Sequence, residues 1–151
     1  MRIETQTRRL TGGDRELARR LFAMMTETFE EEYAPLGDDY LDRLLGRRDF
    51  WAIAAFEGDD IVGGVTAHTL PMTRAETAEV FIYDVAVRPD RQRMGIGRQL
   101  KATLRADAGT AGNYDLFVGA DNEDTHALDF YQALGGIPSP VTIFTFPASD
   151  A

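Results

Sequence analysis

Hydrophobic and polar positions repeat with two different periods along this chain, and each change of period marks an element. Residues 2–10 alternate loosely and read as a first strand, closed by Gly12-Gly13. Asp14 is placed to cap a helix in which Leu17, Leu21 and Met24/Met25 recur at helical spacing. Pro35-Leu36-Gly37 interrupts that run, and Asp38-Asp39 open a shorter helix with Tyr40, Leu41, Leu44 and Leu45 on its apolar side. Phe50 to Phe56 reads as a buried strand, Gly58-Asp59-Asp60 as a turn, and Ile61 to Leu70 as the returning arm of a hairpin. Glu79 to Val87, rich in β-branched and aromatic residues, predicts a further strand.

Beyond Arg88-Pro89-Asp90 the texture changes. Gly95-Ile96-Gly97 leads into a helix with Ile96, Leu100 and Leu104 on one face. Tyr114 to Val118 reads as a strand, Asp124 to Leu134 as a helix stopped by Gly135-Gly136, and Val141 to Phe146 as a last strand. The expected order is therefore β-α-α-β-β-β-α-β-α-β. That is an α/β (α+β) domain with a mixed sheet: an antiparallel front half followed by β-α-β crossovers. The 151 residues suit a single domain spanning 1–151, with no internal repeat or low-complexity linker.

Composition removes several classes of chemistry. An apolar fraction of 44% and a charged fraction of 27% are ordinary for a soluble globular protein. No apolar stretch approaches the roughly 20 residues of a membrane span, and the first residues lack the apolar run of a secretory signal, so a cytoplasmic protein without a membrane partner is expected. With no cysteine, disulfides, thiolate metal sites and cysteine nucleophiles are excluded. His68 and His126 are isolated and read as surface or packing residues, and no metal-ligand cluster is visible. A formal net charge of −9 argues against a nucleic-acid partner.

The placement of charge says more than its sum. Glu27 to Asp42 contains seven acids and no base, whereas Arg88 to Arg105 contains six bases against the single acid Asp90. One stretch is suited to a cation and the other to an anion, although solvated helix faces account for such runs as well.

The basic stretch contains the most informative segment. A strand ending in Val85-Ala86-Val87, the loop Gln92-Arg93-Met94-Gly95-Ile96-Gly97 and a following helix together form a phosphate cradle. Glycines 95 and 97 let the backbone approach a ligand, the helix start supplies unpaired N–H groups and the positive end of its dipole, and Arg93 and Arg98 add charge. A packing turn would use glycines there too. The dinucleotide fingerprint G-x-G-x-x-G fails because Leu100 stands three residues after Gly97, and the nucleotide P-loop fails for want of Gly-Lys-Ser/Thr.

Tyr83-Asp84-Val85-Ala86-Val87, Arg88-Pro89 and Gln92-x-x-Gly95-x-Gly97 resemble motif A of the GNAT superfamily of acetyl-CoA-dependent N-acetyltransferases. Ala127-Leu128-Asp129-Phe130-Tyr131-Gln132-Ala133-Leu134-Gly135 is similar to that superfamily's second motif, A-x-x-F/L-Y-x-x-x-G. Asp39-Tyr40-Leu41, Phe50-x-Ala52-x-Ala54-Ala55-Phe56, Ile82-Tyr83-Asp84 and Gly119-Ala120-Asp121 further resemble the type I aminoglycoside 3-N-acetyltransferases, a likeness extending from about Asp38 to Phe146.

The resemblance implies direct attack of an acceptor amine on the thioester of acetyl-CoA, without an acyl-enzyme or a metal. It places the pantetheine against the main chain of Val85, Ala86 and Val87, with an N–H of Val85 or Ala86 polarising the thioester carbonyl. The pyrophosphate falls to Gln92, Arg93, Met94, Gly95, Ile96, Gly97 and Arg98, with Asp124 also at the donor. It further implies that Asp84 contacts the amine and that Tyr131 reaches the CoA sulfur as an acid. Glu79 competes with Asp84 for the role of base. Five residues apart, the two have opposite parity on a regular strand, and a bulge between them would bring both into one site.

The acceptor wall would comprise Glu30, Glu31 and Tyr33 on one side and Asp121, Asn122 and Glu123 on the other, an arrangement suited to an aminoglycoside or another polycationic amine. A polyamine acetyltransferase and a non-catalytic acyl-CoA-binding module remain the alternatives. Phe144 and Phe146 are compatible with a homodimer, and core burial accounts for them equally well.

Overall fold

The computed structural model describes residues 4–109 and 114–149, divided between two compact units, one up to Gly119 and one from Ala120 onward. In the first, a five-stranded sheet has the order β1-β2-β3-β4-β5. Its strands are β1 (Thr5–Arg9), β2 (Phe50–Glu57), β3 (Asp60–Pro71), β4 (Ala78–Val87) and β5 (Leu116–Val118). All neighbours are antiparallel except β4 and β5, which are parallel. The helices are α1 (Arg15–Thr28), α2 (Asp38–Leu45) and α3 (Ile96–Ala108), and a short 3-10 turn covers Pro89–Arg91. This is the mixed sheet expected from the sequence. Of the first predicted strand, residues 2 and 3 lie outside the described residues.

The sheet separates two apolar layers. On one face Leu21 and Met25 of α1 and Leu41 and Leu45 of α2 bury Leu10, Phe50, Ala52, Ala54 and Ala86. On the other, Ile96, Leu100 and Leu104 of α3 cover Ile53, Val65, Val80, Ile82 and Val87. Consecutive glycines on β3 let both helices approach. A Cβ on Gly63 would come within 3.1 Å of Ile96 Cγ2, and one on Gly64 would overlap Leu21 Cδ1 on the opposite face. Arg15 and Arg19 of α1 are ion-paired with Asp42 and Asp38, which fastens α2 to α1 and occupies two of the seven acids in the acidic run.

Asp14 stands at the N-cap of α1, but its carboxylate turns back to accept from the Thr11 N–H at 2.9 Å and from Arg8 at 3.1 Å instead of capping the helix. No helix among the described residues is long and apolar enough to cross a membrane.

The second unit contains α4 (Thr125–Ala133). Asp124 caps it by accepting from the Ala127 N–H at 3.0 Å. It ends as Gly135-Gly136 predicts: Gly135 adopts φ +94°, the Gly135 N–H donates to Gln132 and the Gly136 N–H to Tyr131. The expected last strand is not formed. Residues 141–146 pair with no strand, and Val141, Ile143, Phe144 and Phe146 are 72–84% exposed. The segment is rich in β-branched and aromatic residues, but Pro138, Pro140 and Pro147 withdraw backbone donors at both of its ends, and no ladder stabilises it.

Gly64→Ala is expected to destabilise the protein by about 1–3 kcal/mol, because the added methyl overlaps the fully buried Leu21. Urea denaturation midpoints of the two proteins measure this directly, and an unchanged midpoint would disprove the close approach.

Candidate active site

The sequence-predicted residues of the first unit converge on β4, where two irregularities coincide. The first is a bulge. Ala67 pairs with Ile82 but Thr66 pairs with Asp84, so Tyr83 is an extra residue. Before it, Val80 and Ile82 face the α3 layer; after it, Val85 and Val87 do. Side-chain parity therefore inverts at Tyr83. Glu79, Phe81, Tyr83, Asp84 and Ala86 all face the α1 side, and Glu79 and Asp84 share a face despite their odd spacing.

The second irregularity is a parting of strands. β5 pairs with β4 only through Val80↔Leu116, Phe81↔Phe117 and Ile82↔Val118. Beyond Ile82 no described strand accompanies β4 on that side. The Arg88 N–H donates to Val62 at 2.8 Å, so by alternation Arg88 and Ala86 direct their backbone groups to β3, while Val85 and Val87 direct theirs into the gap. The Val87 carbonyl is taken by the Gln92 side-chain amide at 3.0 Å. Gln92 thus anchors its own loop to the open edge.

That loop then meets α3. Arg93 (φ +63°) and Gly95 (φ +84°) are both left-handed, and the N-cap Gly95 provides no side chain to bond the first N–H groups of α3. Gln92, Arg93, Met94 and Arg98 are exposed, whereas Ile96 and Gly97 are buried against the sheet. An open strand edge and uncapped helical N–H groups suit a ligand bearing amides and an anionic group, the donor set of a pantetheine pyrophosphate. Arg88 and Arg91 contribute differently from what their position in the basic run suggests. Arg88 pairs with Asp90 at 2.7 Å, and Arg91 pairs with Glu57 at 2.6 Å and with Asp90 at 3.0 Å. These two tie the turn to the end of β2.

Asp84 lies at the border between the helix-covered and the open part of its face. It is half-buried, and burial foremost, then the charge of Glu31, push its carboxyl above the ordinary carboxylate range. Glu31 reaches this position because α1 ends in a Schellman turn: the Glu30 N–H donates to Glu27 and the Glu31 N–H to Thr26, with Glu30 itself left-handed at φ +58°. Glu30, Glu31 and Glu32 have no ion-pair partner among the described residues, in contrast to Asp38 and Asp42. Tyr33 is at the surface, within electrostatic reach of Arg19.

Asp121, Asn122, Glu123, Asp124 and Tyr131 belong to the second unit. Asp121 opens a turn, accepting from the Glu123 N–H at 3.2 Å through its carboxylate and from the Asp124 N–H through its carbonyl. Asp124 spends its carboxylate on the helix cap. Tyr131 is partly exposed, its ring 5.3 Å from that of Phe130. Among the described residues no three His, Asp or Glu side chains stand close enough to hold a metal ion.

Sequence reasoning passed over Tyr83 as a site residue. The bulge places it beside Asp84 on the same face, 63% exposed, and only an inversion of parity between Glu79 and Val87 could have signalled this.

A mixed sheet parted at one strand end, with a glycine turn feeding an uncapped helix beneath the gap, is the architecture of an acyl-transferring enzyme. The chain belongs to the acetyltransferase (GNAT) family, whose model matches residues 16–136. It is 31% identical over 114 residues to an uncharacterized N-acetyltransferase of Bacillus subtilis (strain 168), YvbK, covering 72% of this chain and 69% of that protein. Among solved structures it is similar to an aminoglycoside acetyltransferase from an uncultured soil metagenomic sample, meta-AAC0020, crystallised with sisomicin. That likeness has a TM-score of 0.88 and 30% identity over 96% of this chain and 97% of the other. A second soil-metagenome aminoglycoside acetyltransferase, HMB0005, matches at TM-score 0.88 and 33% identity over 97% and 99% of the two chains.

Because the Asp84 carboxyl titrates higher in the folded than in the unfolded chain, folding is favoured below the unfolded value, and that advantage is lost as pH rises through the folded one. Asp84→Asn is therefore expected to raise the melting temperature at pH 7, with the gain shrinking as pH falls towards about 4. Thermal melts across that range check the sign, and a gain that does not depend on pH would contradict it.

Proposed function

We propose that this chain transfers the acetyl group of acetyl-CoA to an amine of a polycationic aminosugar, and that it is an aminoglycoside acetyltransferase acting at the 3-amino position. The observation that carries this reading is Asp84. It is a half-buried carboxylate, raised in pKa, next to Glu31 and lacking a cationic partner among the described residues, at the point where β5 leaves β4. A buried carboxylate beside a second one is costly unless a cation joins them, and an acceptor ammonium supplies one. The similarity to two aminoglycoside acetyltransferases at 30–33% identity supports the acceptor class. The 3-amino position rests on the motif resemblance around Asp84.

In this reading the open main chain of Val85 and Val87 holds the pantetheine amides, and residues 92–98 hold the pyrophosphate. The N–H of Val85 stabilises negative charge on the thioester oxygen, a part the sequence also offered to Ala86, whose N–H is instead turned to β3. Asp84 holds the ammonium and takes its proton, with Glu79 on the same face as the competing base, and the higher pKa makes Asp84 a better base near neutral pH. As the nitrogen bonds to the acetyl carbon and the carbon–sulfur bond breaks, Tyr131 passes its phenolic proton to the departing thiolate. Glu30, Glu31 and Tyr33 supply the acceptor wall in the first unit, and the motif resemblance is what assigns Asp121, Asn122 and Glu123 to the acceptor. No step requires a metal or a covalent enzyme intermediate. We assign the protein to the cytoplasm, where acetyl-CoA is made and used.

Thiol release from acetyl-CoA is expected with kanamycin or gentamicin. Turnover with spermidine alone would replace the aminosugar by a polyamine, and binding of CoA without turnover of any amine would make the chain a binding module. Asp84→Asn is expected to lower kcat by roughly 10²–10⁴ with little change in acetyl-CoA affinity. Full activity of that variant would remove Asp84 from the chemistry. Tyr131→Phe should slow acetyl transfer in single-turnover experiments, and an unchanged rate would end its role as the acid.

A further inference from the structure

An aromatic strip crosses the open end of the sheet on the face that carries Asp84. Phe50 on β2 contacts His68 on β3 (ring centroids 5.2 Å apart), His68 contacts Tyr83 on β4 (6.1 Å), Tyr83 contacts Phe81 (5.8 Å), and Phe81 contacts Phe117 on β5 (5.0 Å). At its inner end Phe50 is 5% exposed beneath the helical layer; at its outer end Tyr83 and Phe117 are 63% and 41% exposed. The helices that seal the remainder of this face stop short of it. The bulge turns two consecutive residues, Tyr83 and Asp84, to the same side, so the exposed ring stands beside the carboxylate.

We propose that Tyr83, with Phe81 and Phe117, is the platform on which a saturated six-membered ring of the acceptor lies, and that Tyr83 selects ring-bearing polyamines over linear ones. This inference rests on the acceptor site assigned above. Its occupant follows from two features on the same face. Charge is the first: Glu79 and Asp84 flank the rings, Glu31 stands near Asp84, and β3, β4 and β5 contain no lysine or arginine. The rings are the second. An aromatic face carries negative quadrupole charge and attracts the polarised C–H groups of an ammonium-bearing ring as well as the ammonium itself. A linear polyamine satisfies the carboxylates but offers no face to stack. An uncharged sugar offers a face but leaves the acids unpaired. Only a ring that carries amines uses both.

The test compares wild-type protein, Tyr83→Ala and Tyr83→Phe in acetyl transfer from acetyl-CoA to kanamycin and to spermidine, and in calorimetric titration with kanamycin. Tyr83→Ala is expected to raise KM and Kd for kanamycin about five- to tenfold while leaving KM for acetyl-CoA and for spermidine within about twofold. Tyr83→Phe keeps the ring and should behave as wild type. Equal losses for kanamycin and spermidine, no loss for kanamycin, or a Tyr83→Phe defect as large as that of Tyr83→Ala would each overturn the platform. The titration keeps the two readings apart. If kanamycin binds the wild type without being acetylated, the proposed reaction fails, and a weaker Kd in Tyr83→Ala still upholds the platform. If kanamycin does not bind the wild type at millimolar concentration, the platform fails with it.

Discussion

The whole arrangement depends on a single extra residue in β4. Without the bulge at Tyr83, Val85 and Val87 would face the helical layer of α1 and Asp84 would point into the α3 core, where a carboxylate has no partner and burial is prohibitive. The insertion reverses parity in mid-strand. It lets one strand contribute apolar side chains to the α3 layer along its entire length and still deliver Glu79, Tyr83 and Asp84 to the opposite face. It also follows directly on the last β5 pairing, Ile82↔Val118, so that a change of side-chain direction and the opening of a backbone edge fall within a few residues. Polar side chains and unpaired main chain, each expensive inside a sheet, are concentrated where a ligand can satisfy both.

The two charged runs acquire different meanings once their pairings are known. Asp38 and Asp42 bind arginines of α1 and hold the helical pair together, whereas Glu30 and Glu31 follow a left-handed turn that places them beyond the helix. Arg88 and Arg91 likewise fix the loop to β2 through Asp90 and Glu57, which leaves Arg93, at an exposed left-handed position, as the more available charge of the loop. The charges thus divide into those that brace the fold and those, Glu30 and Glu31 among them, that have no ion-pair partner among the described residues.

Most of the fold was legible in the pattern of residues, because each helix repeats its apolar positions over at least two turns and each inner strand is a dense apolar run. The turn before α3 was legible for a different reason: a strand that runs through a glycine turn into a helix leaves backbone N–H groups bare, and Gly95 cannot cap them. Three features were not legible. The bulge leaves no mark in composition, since Tyr83 and Asp84 are ordinary strand and site residues, and only the pairing with Thr66 and Ala67 exposes it. Asp14 looked like a cap, but the Thr11 N–H and Arg8 compete for the same carboxylate. Residues 141–146 are strand-forming by type, yet residue type states what a strand would be made of and not whether an edge is there to receive it.

Gly63 and Gly64 have a consequence for what separates the two halves of the site. With no side chain on either residue, one backbone thickness is all that stands between Leu21 of the helix whose end leads to Glu31 and Ile96 at the start of the helix that follows the glycine turn. The spacing between the Glu31 end of α1 and the glycine turn at the start of α3 is therefore gauged by the two smallest residues available. Any larger side chain there would act as a shim, pushing apart two surfaces whose separation an acetyl transfer must match to within a bond length.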